Sequence, residues 1–345
     1  MSWSYRIARV AGIDVKIHVT FLLLLVWFGW IFGEEAGLAG AATGVGFILL
    51  LFLCVLLHEF GHAFAARAFG IRTPDITLLP IGGVARLERM PDKPVQELIV
   101  AVAGPAVNVV IAGVLFVFVA AKFRMSDLNE LDQAGGSLAV KLLSVNVMLV
   151  AFNAIPAFPM DGGRVLRALL AMKLDYVQAT TIAARVGQVL AVGFAAAGFL
   201  QIGSPMLVFI AVFVFMGAQQ EVAYAKFRSG AQGRSVSEVM HAQFAAIPSD
   251  TPVRHALALA RGSAQPFYPV IDPAMRAVGV VTLDGLLEAA AAGREAEPVA
   301  GLAVSPMRVP ASQRLESLLG RIVPGVPIIV ENPAGQVVGV LATRG

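Results

Sequence analysis

Charge is scarce in this chain of 345 residues. Asp, Glu, Lys and Arg make up 14% of it against 57% apolar residues, where an ordinary soluble domain carries roughly 25% charged residues. A soluble protein so poor in charge could not cover its own surface. The same numbers exclude a disordered chain, a collagen and a coiled coil. What remains is an integral membrane protein with room for a soluble appendage. Cysteine is nearly absent as well. Cys54 is the only one, so no disulfide framework exists, and within its apolar run it reads as a small packing residue. A nucleic-acid-binding excess of base is missing too. The net charge is +3, from 26 Lys and Arg against 23 Asp and Glu. Residues 1–234 hold 18 against 14 and residues 235–345 hold 8 against 9. The excess base lies among the apolar runs, where membrane topology accounts for it, and no nucleic acid is expected as a partner.

Long apolar runs are what the chain has in abundance. Six are read, approximately over 18–33, 43–68, 95–121, 137–155, 178–200 and 205–224. A bilayer core takes about 20 apolar residues per helix, with ~17 as the lower limit. The first and fourth runs are therefore short and the other four comfortable. Frequent Gly and Ala within them suit close helix packing in lipid. Basic residues flank alternate ends of the runs. Fourteen fall on one side, among them Arg6, Arg67, Arg164, Arg167 and Arg228, and two on the other, Lys122 and Arg124. That bias predicts that both termini and the C-terminal domain lie in the cytoplasm, with the chain in the cell's inner or plasma membrane. A basic start, an apolar stretch and small residues at 37–41 also fit a cleaved signal peptide. The stretch is at the long end for one and rich in Trp.

Beyond residues 229–234, a Ser-Gly-Ala-Gln-Gly-Arg linker, the apolar runs shorten to strand length. Two strand pairs, 268–272 with 278–282 and 326–330 with 338–342, each surround a polar turn. Each pair follows a helical stretch, 251–262 or 312–320. This internal duplication predicts a compact two-lobed α/β domain over 235–345, with repeats at 235–292 and 298–345. The membrane part is expected to span 1–228.

Histidine is sparse, yet two of the five stand at His58 and His62 in His-Glu-Phe-Gly-His, inside the second run. Spacing i, i+4 puts both imidazoles on one helix face. They can share one Zn²⁺, with Glu59 beside the metal as general base. Ionisable side chains on an intramembrane helix cost free energy unless they are engaged. A catalytic zinc takes a third protein ligand and leaves a position for water. Glu97 and Asp175 lie at span edges. Asp161 stands out in Asn-Ala-Ile-Pro-Ala-Phe-Pro-Met-Asp-Gly-Gly over 153–163, after two prolines that break the fourth run. A helix N-cap is its ordinary alternative. His58 sits ~15 Å below the cytoplasmic face at 1.5 Å per residue, and the fourth run also travels inward, so both elements can meet there. Asn108 and Asn146, polar residues within spans, read as interhelical hydrogen-bonding groups.

These motifs resemble the site-2 proteases, zinc metalloproteases that cut within the membrane, over the whole chain. The resemblance extends to the branch with a C-terminal pair of cystathionine-β-synthase-type (CBS) modules. It implies a polytopic α-helical membrane protein of about six transmembrane helices with a re-entrant β-loop, plus a C-terminal α/β CBS-pair domain. It makes His58, His62 and Asp161 the ligands of one Zn²⁺, Glu59 the base, and Asn153 a group that polarises the scissile carbonyl. Leu79-Pro-Ile-Gly-Gly83 matches the re-entrant loop, and Ala103-Gly-Pro-Ala-Val-Asn108 a third-span motif. The implied activity is hydrolysis of peptide bonds within or near the transmembrane segment of single-span substrates in the lipid bilayer. The loop at 76–87 would offer a strand edge to the unwound substrate, with Gly82 and Gly83 allowing close approach. The CBS pair implies regulation. Its nucleotide signature is imperfect, because Asp284 follows Thr282 one residue early, so homodimerisation or substrate docking is an equal expectation. A CBS-regulated ion or metal transporter is the alternative from another class. It would place several polar groups along a path through the spans.

Overall fold

In the computed structural model the apolar runs become helices, and the first two join into one element. The residues described are 3–91, 93–125, 137–200, 205–263, 265–318 and 325–341. Helix α1 (Val19–Ala68) starts without a loop after the strand Ile13–His18, capped by the His18 Nδ1 atom, which accepts from the Thr20 N–H at 3.3 Å. Non-helical angles at Ala36 and Gly37 break it, and the φ of 64° at Gly37 is one that favours glycine. The two arms, Val19–Glu34 and Ala36–Ala68, pack closely. A Cβ at Gly40 or Gly44 would overlap Phe32 of the other arm. Small residues at such a contact are the usual means of close packing in lipid.

The remaining helices of this unit are α2 (Pro94–Met125), α3 (Leu138–Asn153), α4 (Asp161–Ala171), α5 (Tyr176–Phe199) and α6 (Met206–Ala231). Among the described residues, four segments are long and apolar enough to cross a membrane: 36–68, 94–121, 176–199 and 206–231. The arm 19–34 and α3 are apolar but shorter, as the short first and fourth runs predict. Helix α4 is different in kind. It is 11 residues long and carries Arg164 and Arg167 among its apolar residues, with Arg167 and Ala168 buried and Leu169 exposed.

A four-stranded sheet lies against α1. Its order is β1 (Ser4–Val10), β2 (Ile13–His18), β3 (Asp75–Leu79), β4 (Gly82–Arg86), with β2 and β3 parallel and the outer pairs antiparallel. Alternate residues of β2, Ile13 and Val15, are buried with Phe60 and Ala63 of α1 and Ile76 of β3. The re-entrant loop expected at 76–87 is therefore the hairpin β3–β4, closed by Pro80 and Ile81. β4 is the edge strand, with one side paired to β3 and no strand on the other.

Two compact units divide the chain, 1–226 and 227–345, and α6 runs on through the first half of the segment read as a linker. The second unit holds two three-stranded sheets of like topology. In one, β5 (Ile247–Pro248) runs parallel to β6 (Tyr268–Ile271), which pairs antiparallel with β7 (Ala277–Val281). In the other, β8 (Met307–Pro310) runs parallel to β9 (Ile328–Glu331), which pairs antiparallel with β10 (Val337–Leu341). Helix α7 (Val253–Arg261) joins β5 to β6, and α8 (Leu283–Ala291) follows β7. Where a second helix is expected at 312–320, the described residues carry a 3-10 turn over Leu315–Leu318; residues 319 and 320 lie outside them. The cores of both lobes are aliphatic, around Val270 and Leu286 in one and Val309 and Ile328 in the other.

Candidate active site

The two histidines one turn apart on α1 converge on the carboxylate that opens α4. The His58 and His62 Nε2 atoms are 3.1 Å apart, and each is 3.2 Å from the Asp161 Oδ2 atom. All three residues are buried. This is a nearly equilateral triangle of electron-pair donors. Each imidazole spends its other nitrogen elsewhere. The His62 Nδ1–H donates to the Val100 carbonyl at 2.7 Å, and the His58 Nδ1–H donates to the Asn108 Oδ1 atom at 2.5 Å. Neutral imidazoles so bonded turn bare Nε2 lone pairs toward each other and toward a carboxylate, a repulsive arrangement unless a cation lies among them. Three ligands about 2.0–2.1 Å from a tetrahedral zinc stand roughly 3.3 Å apart. The donor set fits the metal in type and in spacing.

Local sequence explains the convergence. A Cβ on Gly61, between the histidines, would lie 2.6 Å from the Ala103 carbonyl oxygen. Its absence lets α2 cross α1 at the site. A Cβ on Gly104 would overlap the His62 Nε2 atom and come within 2.8 Å of that of His58. Gly104, within the segment 103–108 that matches a third-span motif, therefore clears the space above the histidine pair. Asn108 and Asn146 do hydrogen-bond between helices, the Asn108 Nδ2–H donating to the Asn146 Oδ1 atom at 2.8 Å. The chain continues in both directions. Asn146 Nδ2 reaches the Leu142 carbonyl at 2.9 Å and the Cys54 sulfur at 3.4 Å, and Asn108 orients His58. Both residues thus serve the histidine as well as the packing.

The three acidic candidates separate cleanly. Asp161 is the first residue of α4, the cap position is Met160, and no side-chain cap bond is made. Asp175 does cap α5, accepting from the Val177 and Gln178 N–H groups at 3.0 Å. Glu97 pairs with the fully buried Arg167, whose Nη1 reaches the Glu221 Oε2 atom at 2.7 Å. Arg167, one of the basic residues that flank the spans in sequence, is thus an interior group rather than a surface marker. Among the described residues, His58, His62 and Asp161 form the one cluster spaced for a metal.

A cavity of about 350 Å³ opens at the triangle. Its wall includes Glu59, Asn153 and Arg164, with Gly82, Gly83 and Ala85 from β4. Glu59 follows His58 on α1, and its Oε2 atom accepts from the Ala85 N–H at 3.1 Å. The φ of 138° at Gly82 is open to glycine and strained for other residues. Gly83 has a different reason. A Cβ there would stand 2.6 Å from the Glu59 Cγ atom and 3.1 Å from the Val55 Cγ1 atom. The glycine pair read as room for a substrate is, at Gly83, also room for the glutamate.

The chain's similarities bear on the same residues. The sequence model of peptidase family M50 matches residues 46–136 and 123–194, and that of the CBS domain matches 236–292. Zinc metalloprotease MJ0392 of Methanocaldococcus jannaschii is 39% identical over 221 residues, 64% of this chain and 61% of that protein's length. Putative zinc metalloprotease Rip3 of Mycobacterium tuberculosis is 30% identical over 362 aligned positions, 97% of this chain and 90% of that protein. The solved structure of a site-2 protease from M. jannaschii covers 64% of this chain and 95% of its own, at 37% identity and a TM-score of 0.47. The membrane unit matches a peptidase family, so the transporter alternative is not the better supported reading. Since the match to Rip3 runs through nearly all of both chains, the protein belongs to peptidase family M50, the membrane-embedded zinc metalloproteases called site-2 proteases, and it carries a CBS domain besides.

Proposed function

We propose that His58, His62 and Asp161 hold one catalytic zinc, that Glu59 is the general base, and that the enzyme cuts single-span membrane proteins within or near their transmembrane segment. The observation that carries this reading is the triangle of three buried donors with Glu59 on the wall of the same cavity. Zinc bound there would acidify water and polarise a peptide carbonyl. The other steps fall to the chain. Glu59 takes a proton from the attacking water and returns it to the departing amide nitrogen. Asn153, at the C-terminal end of α3, donates to the oxygen on which negative charge develops. The free edge of β4 pairs with the unwound substrate backbone, which needs hydrogen-bond partners at membrane depth, and Gly82 and Gly83 keep that edge low. The basic-residue bias supports cytoplasmic termini. The like topology of the two C-terminal sheets supports a tandem CBS pair over 235–345, following a membrane domain over 1–228. The Thr282 hydroxyl caps α8, accepting from the Gly285 N–H at 3.1 Å, and Asp284 stands one residue early for the nucleotide signature, so pairing of two chains or substrate docking is as well supported a role as nucleotide binding.

The test is cleavage of a single-span protein in vesicles. Wild type is expected to release fragments cut within the span, while Glu59→Gln loses roughly 10²–10⁴ of the rate and keeps its zinc. Equal cleavage by both would refute the assignment.

A further inference from the structure

Arg167 is among the largest fully buried side chains and lies outside the reaction scheme, with no solvent exposure. Its Nε and Nη2 atoms lie 2.7 and 2.6 Å from the Glu97 Oε1 atom on α2, and its Nη1 lies 2.7 Å from the Glu221 Oε2 atom on α6. The guanidinium also stacks on the rings of Phe158 and Tyr176, 5.0 and 5.1 Å from their centres. One side chain on α4 therefore touches α2, α5, α6 and the segment leading into α4. Such a group is a weak source of stability, because removing three charges from water offsets much of their attraction. What a planar fork held from several sides supplies is direction.

Direction is what the start of α4 lacks. Asp161 opens this 11-residue helix without a side-chain cap. Gly162 and Gly163 come next and lie against the backbone of Ile155 and Ala157. They offer no side chains to key the helix in place. Arg167 lies ~9 Å further along the same helix. Its partner Glu97 precedes by three residues Val100, the carbonyl that orients His62. The guanidinium thus ties the helix of the third ligand to the helix that orients the second.

We propose that Arg167 is a positioning residue for the metal site, holding α4 so that the Asp161 carboxylate completes the triangle. The inference rests on Asp161 being a zinc ligand, and the test separates the two. In the full-length protein, zinc affinity is measured by competition with a chromophoric chelator, and coordination by the visible absorption of the Co²⁺-substituted form. Arg167→Met is expected to weaken zinc binding by roughly 10–100-fold, the usual cost of losing an outer-shell support. The triple variant Arg167→Met, Glu97→Gln, Glu221→Gln strands no charge. It is expected to melt like wild type yet bind zinc as weakly as the single variant. Arg167→Lys keeps the charge without the fork and should fall between, with a changed cobalt spectrum. In an Asp161→Ala background, Arg167→Met should cost no further affinity. Wild-type affinity and spectrum in the triple or Lys variant, or equal losses with and without Asp161, would overturn the proposal. An Asp161→Ala variant that binds zinc like wild type would overturn the ligand assignment instead.

Discussion

The two units differ in the polar side chains they bury. Eleven polar or charged residues are buried among those described, and all of them precede residue 181, in the unit made of membrane helices. The C-terminal unit, whose surface carries charged pairs such as Arg294–Glu297, buries aliphatic residues and Tyr268. Where apolar lipid is the solvent, moving apolar side chains inward gains little, and interior polar contacts define the packing. Where water is the solvent, burial of apolar surface is itself the driving force. The membrane unit can therefore afford a polar interior, and the cluster of His58, His62 and Asp161 is part of that interior. The CBS lobes have a dry core and no such cluster among their described residues.

Variants can press on this contrast. The largest effect is expected from Gly104→Ala, since its methyl would intrude on both histidine nitrogens. Zinc content of the purified protein should fall to a small fraction of one per chain, with peptidase activity lost in parallel; a full zinc complement would show that the space above the ligands is not limiting. Asn108→Ala should act less severely, through the tautomer and orientation of His58. A roughly 10–100-fold loss of zinc affinity is expected, read by chelator competition, and the C-terminal unit should be untouched. The smallest effect belongs to that second unit. Thr282→Ala removes the cap of α8 and should cost about 1 kcal/mol locally. Faster amide exchange over residues 283–291 of the full chain would report it, while zinc affinity stays at the wild-type value. A change in zinc affinity there would break the separation of the two interiors.

Much of the site was legible because its chemistry is written in short spacings. His58 and His62 declare a shared helix face, and Asp161 follows two prolines and precedes two glycines that end one helix and begin another. The duplicated strands at 268–282 and 326–342 were legible as well, since alternation and turns are local. What could not be read is contact across long separations. Nothing near Glu97 announces Arg167, 70 positions on, and a carboxylate at a span edge looks alike whether it binds metal or a guanidinium. Gly83 and Gly104 are small for reasons set by Glu59 and the histidines, which only packing brings near them. Asn108 gave its polarity in sequence, but its partner His58 is 50 residues away.

Helix α3 has a further consequence. Its 16 residues rise about 24 Å at 1.5 Å per residue, against a hydrocarbon layer of about 30 Å. The shortfall is about one helical turn, and the helix ends at Asn153, on the wall of the cavity. From there to Asp161 the chain is irregular, and irregular backbone is tolerated at membrane depth only against protein or water. A mismatch of that size is relieved when the bilayer thins beside it. Thinning beside the end of α3 would bring the aqueous phase toward His58, His62 and Asp161, and the hydrolysis proposed above depends on that supply of water.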